Sequence, residues 1–129
     1  MYDSRMEPGS DPRRGRISRY AWGDDYHDVL LEKLHELRLH IERLGGNAKV
    51  CVDTNAVLEK PWAQVAGLGW QGKHSNILSR ELGSWFFLGE VLTDLDLEPD
   101  APHTEEYCGT CTACIDLCPT KAIVAPSST

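Results

Sequence analysis

Four cysteines stand within eleven residues near the C-terminal end: Cys108, Cys111, Cys114 and Cys118, with Pro119 directly after them. Their spacing, C-x2-C-x2-C-x3-C-P, is the bacterial pattern for ligating a [4Fe–4S] cluster. The spacing has a physical reason. Three thiolates two residues apart can wrap a tight loop around one cube, with backbone N–H groups directed at the sulfurs. A fourth thiolate then points away along a short helix, and in two-cluster proteins it serves the other cluster. Zinc prefers two ligand pairs parted by a longer spacer, so that four ligands close a tetrahedron, and this run suits it poorly. A disulfide framework is also disfavoured, because the chain has five cysteines and no secretion signal. The fifth, Cys51, lies far away in sequence and reads as a small core residue. If Cys118 serves a second cluster, the remaining ligands of both are expected beyond Thr129.

Three further groups carry reactive side chains. Asp53 follows a short apolar strand; on residue type alone it reads as a turn cap acting with Thr54 and Asn55. Tyr26 and His27 precede a helix, where packing and a backbone hydrogen bond are the plain reading. Lys73 and His74 end the glycine-rich stretch 67–72. Gly67 and Gly72 have the spacing of a phosphate-binding loop to Lys73, but His74 occupies the Ser/Thr position and no strand precedes, so the nucleotide reading is weak.

The elements that must position these groups are legible in part. Leu30, Leu34, Leu37, Ile41 and Leu44 recur at steps of four and three, giving one apolar helical stripe. Asp24 or Asp25 can cap its start and Gly45-Gly46 can end it. His35 and His40 fall off the stripe and are expected in solvent. Residues 49–52 read as a strand that delivers Asp53 at its carboxyl end. Pro61 belongs in the first turn of a short helix ending at Gly67. The apolar pair Ile77-Leu78 and the run 85–93 are expected to form a hairpin across a turn at 81–84, with 85–93 a long buried strand. Residues 94–100 read as an acidic, solvated linker, and 1–17 as a linker or loop.

Composition fits a globular chain: of 129 residues, 41% are hydrophobic and 26% charged. No window approaches the roughly 18 apolar residues of a membrane span, and a cytoplasmic location is expected. A net charge of −7 does not favour a broad phosphate-binding surface.

Five separated motifs, in order, make the chain resemble the tRNA epoxyqueuosine reductase (QueG) family. They are the stretch from Ser18-Arg19-Tyr20-Ala21-Trp22 to Asp25-Tyr26-His27, and Val52-Asp53-Thr54 with Val57-Leu58-Glu59. Next come Ala66-Gly67-Leu68-Gly69-Trp70-Gln71-Gly72-Lys73-His74 and Gly83-Ser84-Trp85-Phe86-Phe87-Leu88-Gly89-Glu90. The cysteine run ending Cys118-Pro119-Thr120 completes the set. The resemblance covers about residue 15 to the C-terminus. It implies an α+β fold: the C-terminal part of an α/β-like cobalamin-binding catalytic domain over 18–98, then the first half of a ferredoxin-like domain over 99–129. On that template the chain is expected to be an internal piece.

The resemblance also implies an activity, reduction of epoxyqueuosine to queuosine at the tRNA wobble position. It implies cobalamin, two [4Fe–4S] clusters in the full-length family, an external electron donor, tRNA as partner, and a monomer. Asp53 matches the proton donor, because an epoxide oxygen leaves poorly as an alkoxide and needs a proton as its C–O bond breaks. That role requires a protonated carboxyl near neutral pH, which burial beside an apolar corrin would favour. Cobalamin contacts implied in the same way are Ser18, Arg19, Tyr26, His27, Asp53, Lys73, His74, Ile77 and Leu88. Two rival readings are an electron-transfer module without catalysis and a corrinoid-dependent reductase or dehalogenase that does not act on tRNA.

Overall fold

The computed structural model describes Arg13, Gly15 and residues 17–124, so most of the stretch read as an N-terminal linker lies outside the described residues. The chain divides into two compact units. The first contains the residues up to Val57 together with Trp85–Asp96; the second contains Leu58–Ser84 and the residues from Leu97 onward.

The first unit is built on helix α1, Tyr26–Arg43. Asp25 caps it, its carboxylate accepting the His27 N–H at 2.9 Å, which satisfies one of the otherwise orphaned amides of a helix start. At the other end Gly45 takes φ 92°, and the Gly46 N–H returns to the Ile41 carbonyl at 3.2 Å. This is the left-handed stop that the paired glycines foretell. Of the apolar stripe, Ile41 is buried, while Leu37 and Leu44 are 46% and 63% exposed, so the face in contact is narrower than five residues. His35 and His40 are both exposed, as their places off the stripe require.

Strand β1, Ala48–Cys51, pairs antiparallel with strand β4, Glu90–Thr93, in the register Val50↔Val91 and Cys51↔Glu90. Cys51 and Val52 are 1% and 2% exposed, so Cys51 is the core residue expected of it. Gly89 permits the close approach of α1: a Cβ there would come within 2.9 Å of the Leu34 side chain. Asp94 is more than solvated linker. Its carboxylate accepts the backbone N–H of Asn47 at 2.6 Å and the Asn47 side-chain amide at 2.7 Å, tying the start of β1 to the end of β4.

In the second unit, α2 spans Glu59–Val65 with Pro61 in its first turn, and Gly67 at φ 79° stops it. Strands β2, Trp70–Gln71, and β3, Ile77–Leu78, form a short antiparallel hairpin. Ile77 is 4% exposed and Trp70 9% exposed. Helix α3, Ala113–Asp116, is the short helix of the cysteine segment.

The expected pairing of Ile77-Leu78 with 85–93 is therefore not the one formed. β3 pairs with β2, and β4 begins only at Glu90 and pairs with β1. Trp85 and Phe87 are 59% and 43% exposed rather than part of a buried strand. Residues 90–93 are instead paired in register with 48–51, and β3 is closed onto β2 by a tight turn in which the Gly72 N–H donates to the Asn76 carbonyl and the Ser75 N–H to the Gly72 carbonyl, both at 2.8 Å. Both described ladders are antiparallel, which gives an α+β arrangement. Among the described residues no helix is long and apolar enough to cross a membrane.

Gly69 supplies a direct test of that hairpin, because an added Cβ would overlap the Leu78 carbonyl, which is backbone and cannot rotate away. Gly69→Ala is expected to lower stability by about 1–3 kcal/mol. Gly23→Ala, which meets nothing within 4 Å, should leave the thermal midpoint close to the parent. Equal midpoints for the two variants in a melt followed by circular dichroism would refute the hairpin.

Candidate functional site

At the carboxyl end of β1 the chain turns sharply at Asp53, which has φ 46°, and the Thr54 N–H bonds back to the Val52 carbonyl. Left-handed backbone is unfavourable for most side chains, and Asp is among the few residues that tolerate it. The turn lifts the Asp53 carboxylate off the strand toward the start of α1. There the Tyr26 hydroxyl donates to Asp53 Oδ2 at 2.5 Å, and His27 Nε2 lies 3.5 Å from the same oxygen.

Asp25 completes the group. Its carboxylate, already capping α1, also contacts His27 Nδ1 at 2.7 Å. The imidazole thus sits between two carboxylates. Hydrogen bonding to Asp25, reinforced by the charges of Asp25 and Asp53, raises the His27 pKa above its ordinary value. The amide and ring contacts from His27 in turn hold Asp25 below the usual carboxylate range. The hydrogen bond to Asp53 pushes the Tyr26 phenol up to about 12, so it remains a proton donor at neutral pH.

Aromatic packing holds the ring positions. Tyr26 stacks on Phe87 with centroids 4.3 Å apart and planes 8° from parallel, and on His27 at 4.0 Å. Tyr20 meets Tyr26 edge-on at 6.1 Å. Such offset and edge geometries are those favoured by ring quadrupoles. Ser18 begins the 3-10 turn Arg19–Ala21, and Leu88 is half-buried. Ser18, Arg19, Tyr26, His27, Asp53 and Leu88 all belong to the first unit.

The Asp53 side chain is 57% exposed, so the polypeptide by itself does not bury it. The strand ends one residue earlier, and the left-handed turn carries the carboxylate outward. What the fold gives Asp53 instead of burial is two proton-bearing neighbours.

The second unit carries the cysteines. Cys108 and Cys111 flank Gly109, at φ 43°, in a turn closed by the Cys111 N–H on the Cys108 carbonyl at 2.8 Å. Cys114 lies in α3 and Cys118 just beyond it. All are free thiols, Cys111 the most open of the four. The Cys118 thiol is brought down to about 7 by the backbone amide of Ile123 first and the Thr120 hydroxyl next. Among the described residues no three His, Cys, Asp or Glu side chains stand close enough to hold a metal ion. The donor set, four thiols on one loop and one short helix, fits the sulfur-only ligation of an iron–sulfur cluster in type. The sulfurs do not converge on one point.

Lys73, His74 and Ile77 lie on the β2–β3 hairpin. The Lys73 ammonium donates to the carbonyls of Gly109 and Cys111, each at 2.8 Å. His74 Nδ1 accepts the Asn76 N–H at 3.3 Å. Ile77 is a core side chain of its own unit. Sequence reasoning missed the partnership of Asp25 with His27, the stacking of Phe87 on Tyr26, and the attachment of Lys73 to the cysteine loop. The first was readable, since a helix-capping carboxylate two residues before a histidine reaches both its amide and its ring; the others depend on long-range pairing.

A family model described as epoxyqueuosine reductase QueG, DUF1730, matches residues 1–54. The chain is 50% identical over 127 residues to an epoxyqueuosine reductase of Synechocystis sp., a match covering 97% of this chain and 44% of the relative. It superposes with TM-score 0.88 and 42% identity on a crystal structure of epoxyqueuosine reductase with an epoxyqueuosine-modified tRNA-Tyr stem loop, covering 97% of this chain and 34% of that one. A Bacillus subtilis epoxyqueuosine reductase described with its catalytic aspartate loop swung out of the active site matches at TM-score 0.73 and 38% identity, over 83% of this chain and 28% of that one. The chain thus spans less than half the length of these relatives.

The hydrogen-bonded pair of Asp25 and His27 gives a pH prediction. Asp25→Asn keeps a good helix cap but removes the charge, so the His27 titration midpoint, followed by ring-proton NMR, should fall toward the ordinary 6.5. A raised folded-state pKa means that the stabilisation is complete below pH 6.5 and is lost as pH rises through the raised midpoint. An unchanged midpoint in the variant would separate His27 from Asp25.

Proposed function

We propose that this chain, which belongs to the epoxyqueuosine reductase family, contributes the proton-donating and cysteine-bearing segment of an enzyme that reduces epoxyqueuosine to queuosine in tRNA. The observation that carries the reading is the convergence of Tyr26 and His27 on Asp53 Oδ2. It is supported by the family's name for its substrate and by the Bacillus subtilis relative, whose description gives it a catalytic aspartate loop.

The reaction removes the epoxide oxygen as water, which consumes two electrons and two protons. The first proton must arrive as the C–O bond breaks, because an alkoxide is a poor leaving group. Asp53 is the group assigned to deliver it. His27, held toward its cationic form by Asp25, is placed to return a proton to Asp53 after each delivery. Tyr26, a phenol with a high pKa, orients the carboxylate by its short hydrogen bond to Oδ2. Phe87 and Tyr20 hold the Tyr26 ring in that orientation.

Cys108, Cys111, Cys114 and Cys118 are the residues that would ligate [4Fe–4S] clusters, Cys118 serving the second on the two-cluster pattern, and the clusters would supply one-electron steps fed by an external donor. Cobalamin would supply the reducing chemistry at the substrate. Its proposed contacts are Ser18, Arg19, Tyr26, His27, Asp53, Lys73, His74, Ile77 and Leu88. The proposed domain division is a cobalamin-binding part over 18–98 and a ferredoxin-type part from 99 onward.

The test uses the Synechocystis relative, with its matching segment replaced by this chain. Asp53→Asn in that protein should reduce conversion of epoxyqueuosine, measured by nucleoside analysis of tRNA, by about 10²–10⁴-fold while cobalamin uptake is retained. Near-normal turnover in Asp53→Asn would remove the assignment.

A further inference from the structure

The Lys73 ammonium has three hydrogens and places two of them on the cysteine loop, on the carbonyls of Gly109 and Cys111. Its base is firm. Lys73 sits at the closed end of the β2–β3 hairpin, with Gly72 bonded to Asn76 and Ser75 bonded to Gly72. A trans peptide points its C=O and the following N–H in opposite directions. Fixing the Gly109 and Cys111 carbonyls against the ammonium therefore turns the N–H groups of Thr110 and Thr112 to the other side of the loop. Neither amide has a backbone acceptor among the described residues. The loop thus carries a cation on one side and unspent amides on the other, and both favour a negatively charged occupant.

We propose that Lys73 is a positioning residue for the cluster: it holds the Cys108–Cys111 turn closed and biases the bound cluster toward its reduced state. This rests on the reading of the four cysteines as cluster ligands. The electrostatic direction is simple. Reduction adds one negative charge, and a fixed positive charge nearby stabilises the more negative form. Lys73 thereby makes the cluster easier to reduce than an uncharged residue at the same place would.

The experiment compares the parent chain with Lys73→Met, which keeps the stem and loses the charge, and Lys73→Arg, which keeps the charge and can still reach two carbonyls. Amide exchange at Cys111 is measured by NMR in the reduced, metal-free chain, where the Cys111–Cys108 hydrogen bond reports closure of the turn. Lys73→Met should exchange about tenfold faster, the order expected from losing charge-assisted hydrogen bonds, and Lys73→Arg should stay near the parent. All three are then placed in the Synechocystis relative in exchange for its matching segment, reconstituted anaerobically with ferrous iron and sulfide, and titrated. Lys73→Met should shift the midpoint to more negative potential by about 59 mV, a tenfold change for a one-electron couple, with recovery in Lys73→Arg. Unchanged exchange in Lys73→Met overturns the clamp, and faster exchange with an unmoved potential overturns the redox bias. Failure of the parent hybrid to take up iron and sulfide overturns the cluster reading instead, while the exchange measurement still decides the clamp.

Discussion

One carboxylate, that of Asp25, joins the start of a helix to a reactive group. As the cap of α1 it satisfies the His27 amide; as the partner of His27 Nδ1 it fixes the ring and favours its cationic form. The helix end and the imidazole are therefore one structure, and neither can be adjusted without the other. Because α1 packs on the β1–β4 pair, with Leu34 against Gly89 just before β4 and beside the Cys51 carbonyl, the orientation that Asp25 sets at the helix start is carried to the end of β1, where Asp53 waits. The first unit can be understood as a device that brings two consecutive side chains of a helix against one carboxylate oxygen.

Backbone strain appears at the same place. Asp53 and Ser75 both have positive φ without being glycine, and both lie in turns that present chemistry: Asp53 after β1, Ser75 closing the loop that carries Lys73. Positions of this kind cost on the order of 1–3 kcal/mol and persist when the surroundings over-determine them. At Asp53 the surroundings are the hydrogen bond from Tyr26 and the buried Cys51–Val52 pair before it. At Ser75 they are the two turn hydrogen bonds of the β2–β3 hairpin. In each case a well-packed strand supports a turn that would not be favoured alone.

Local signals in the sequence were reliable and non-local ones were not. The limits of α1 follow from a capping carboxylate, a 3.6-residue period and two glycines, all within one stretch of chain. The burial of Cys51, the placement of Pro61 in the first turn of α2 and the short helix after Cys111 are local in the same sense. The partner of Ile77-Leu78 was not legible, because apolarity alone does not choose between Trp70-Gln71 on one side and the run 85–93 at a similar distance on the other. For the same reason the exposure of Trp85 and Phe87 could not be read, since aromatic runs look alike whether they enter a sheet or lie along it. Lys73 falls in the same class: its spacing to two glycines suggests phosphate, whereas its acceptors are carbonyls 36 and 38 residues further on.

The exposure of the reactive groups changes how their chemistry is controlled. Asp53, Asp25 and Cys111 are all exposed, so burial by the protein is not what tunes the site. Short hydrogen bonds between near neighbours do so: Asp25 to His27, Tyr26 to Asp53, the Ile123 amide and Thr120 hydroxyl to Cys118. Such contacts fix direction before magnitude. In water they act through a high dielectric and are modest; any apolar surface laid over them would strengthen each, since the same charges interact more strongly as the local dielectric falls. A site assembled this way holds its donors and acceptors in place while open, and reaches full electrostatic effect only when covered. The orientation of Asp53 then belongs to the residues that aim it, Tyr26 and His27, and these sit at the start of a helix far from it in sequence.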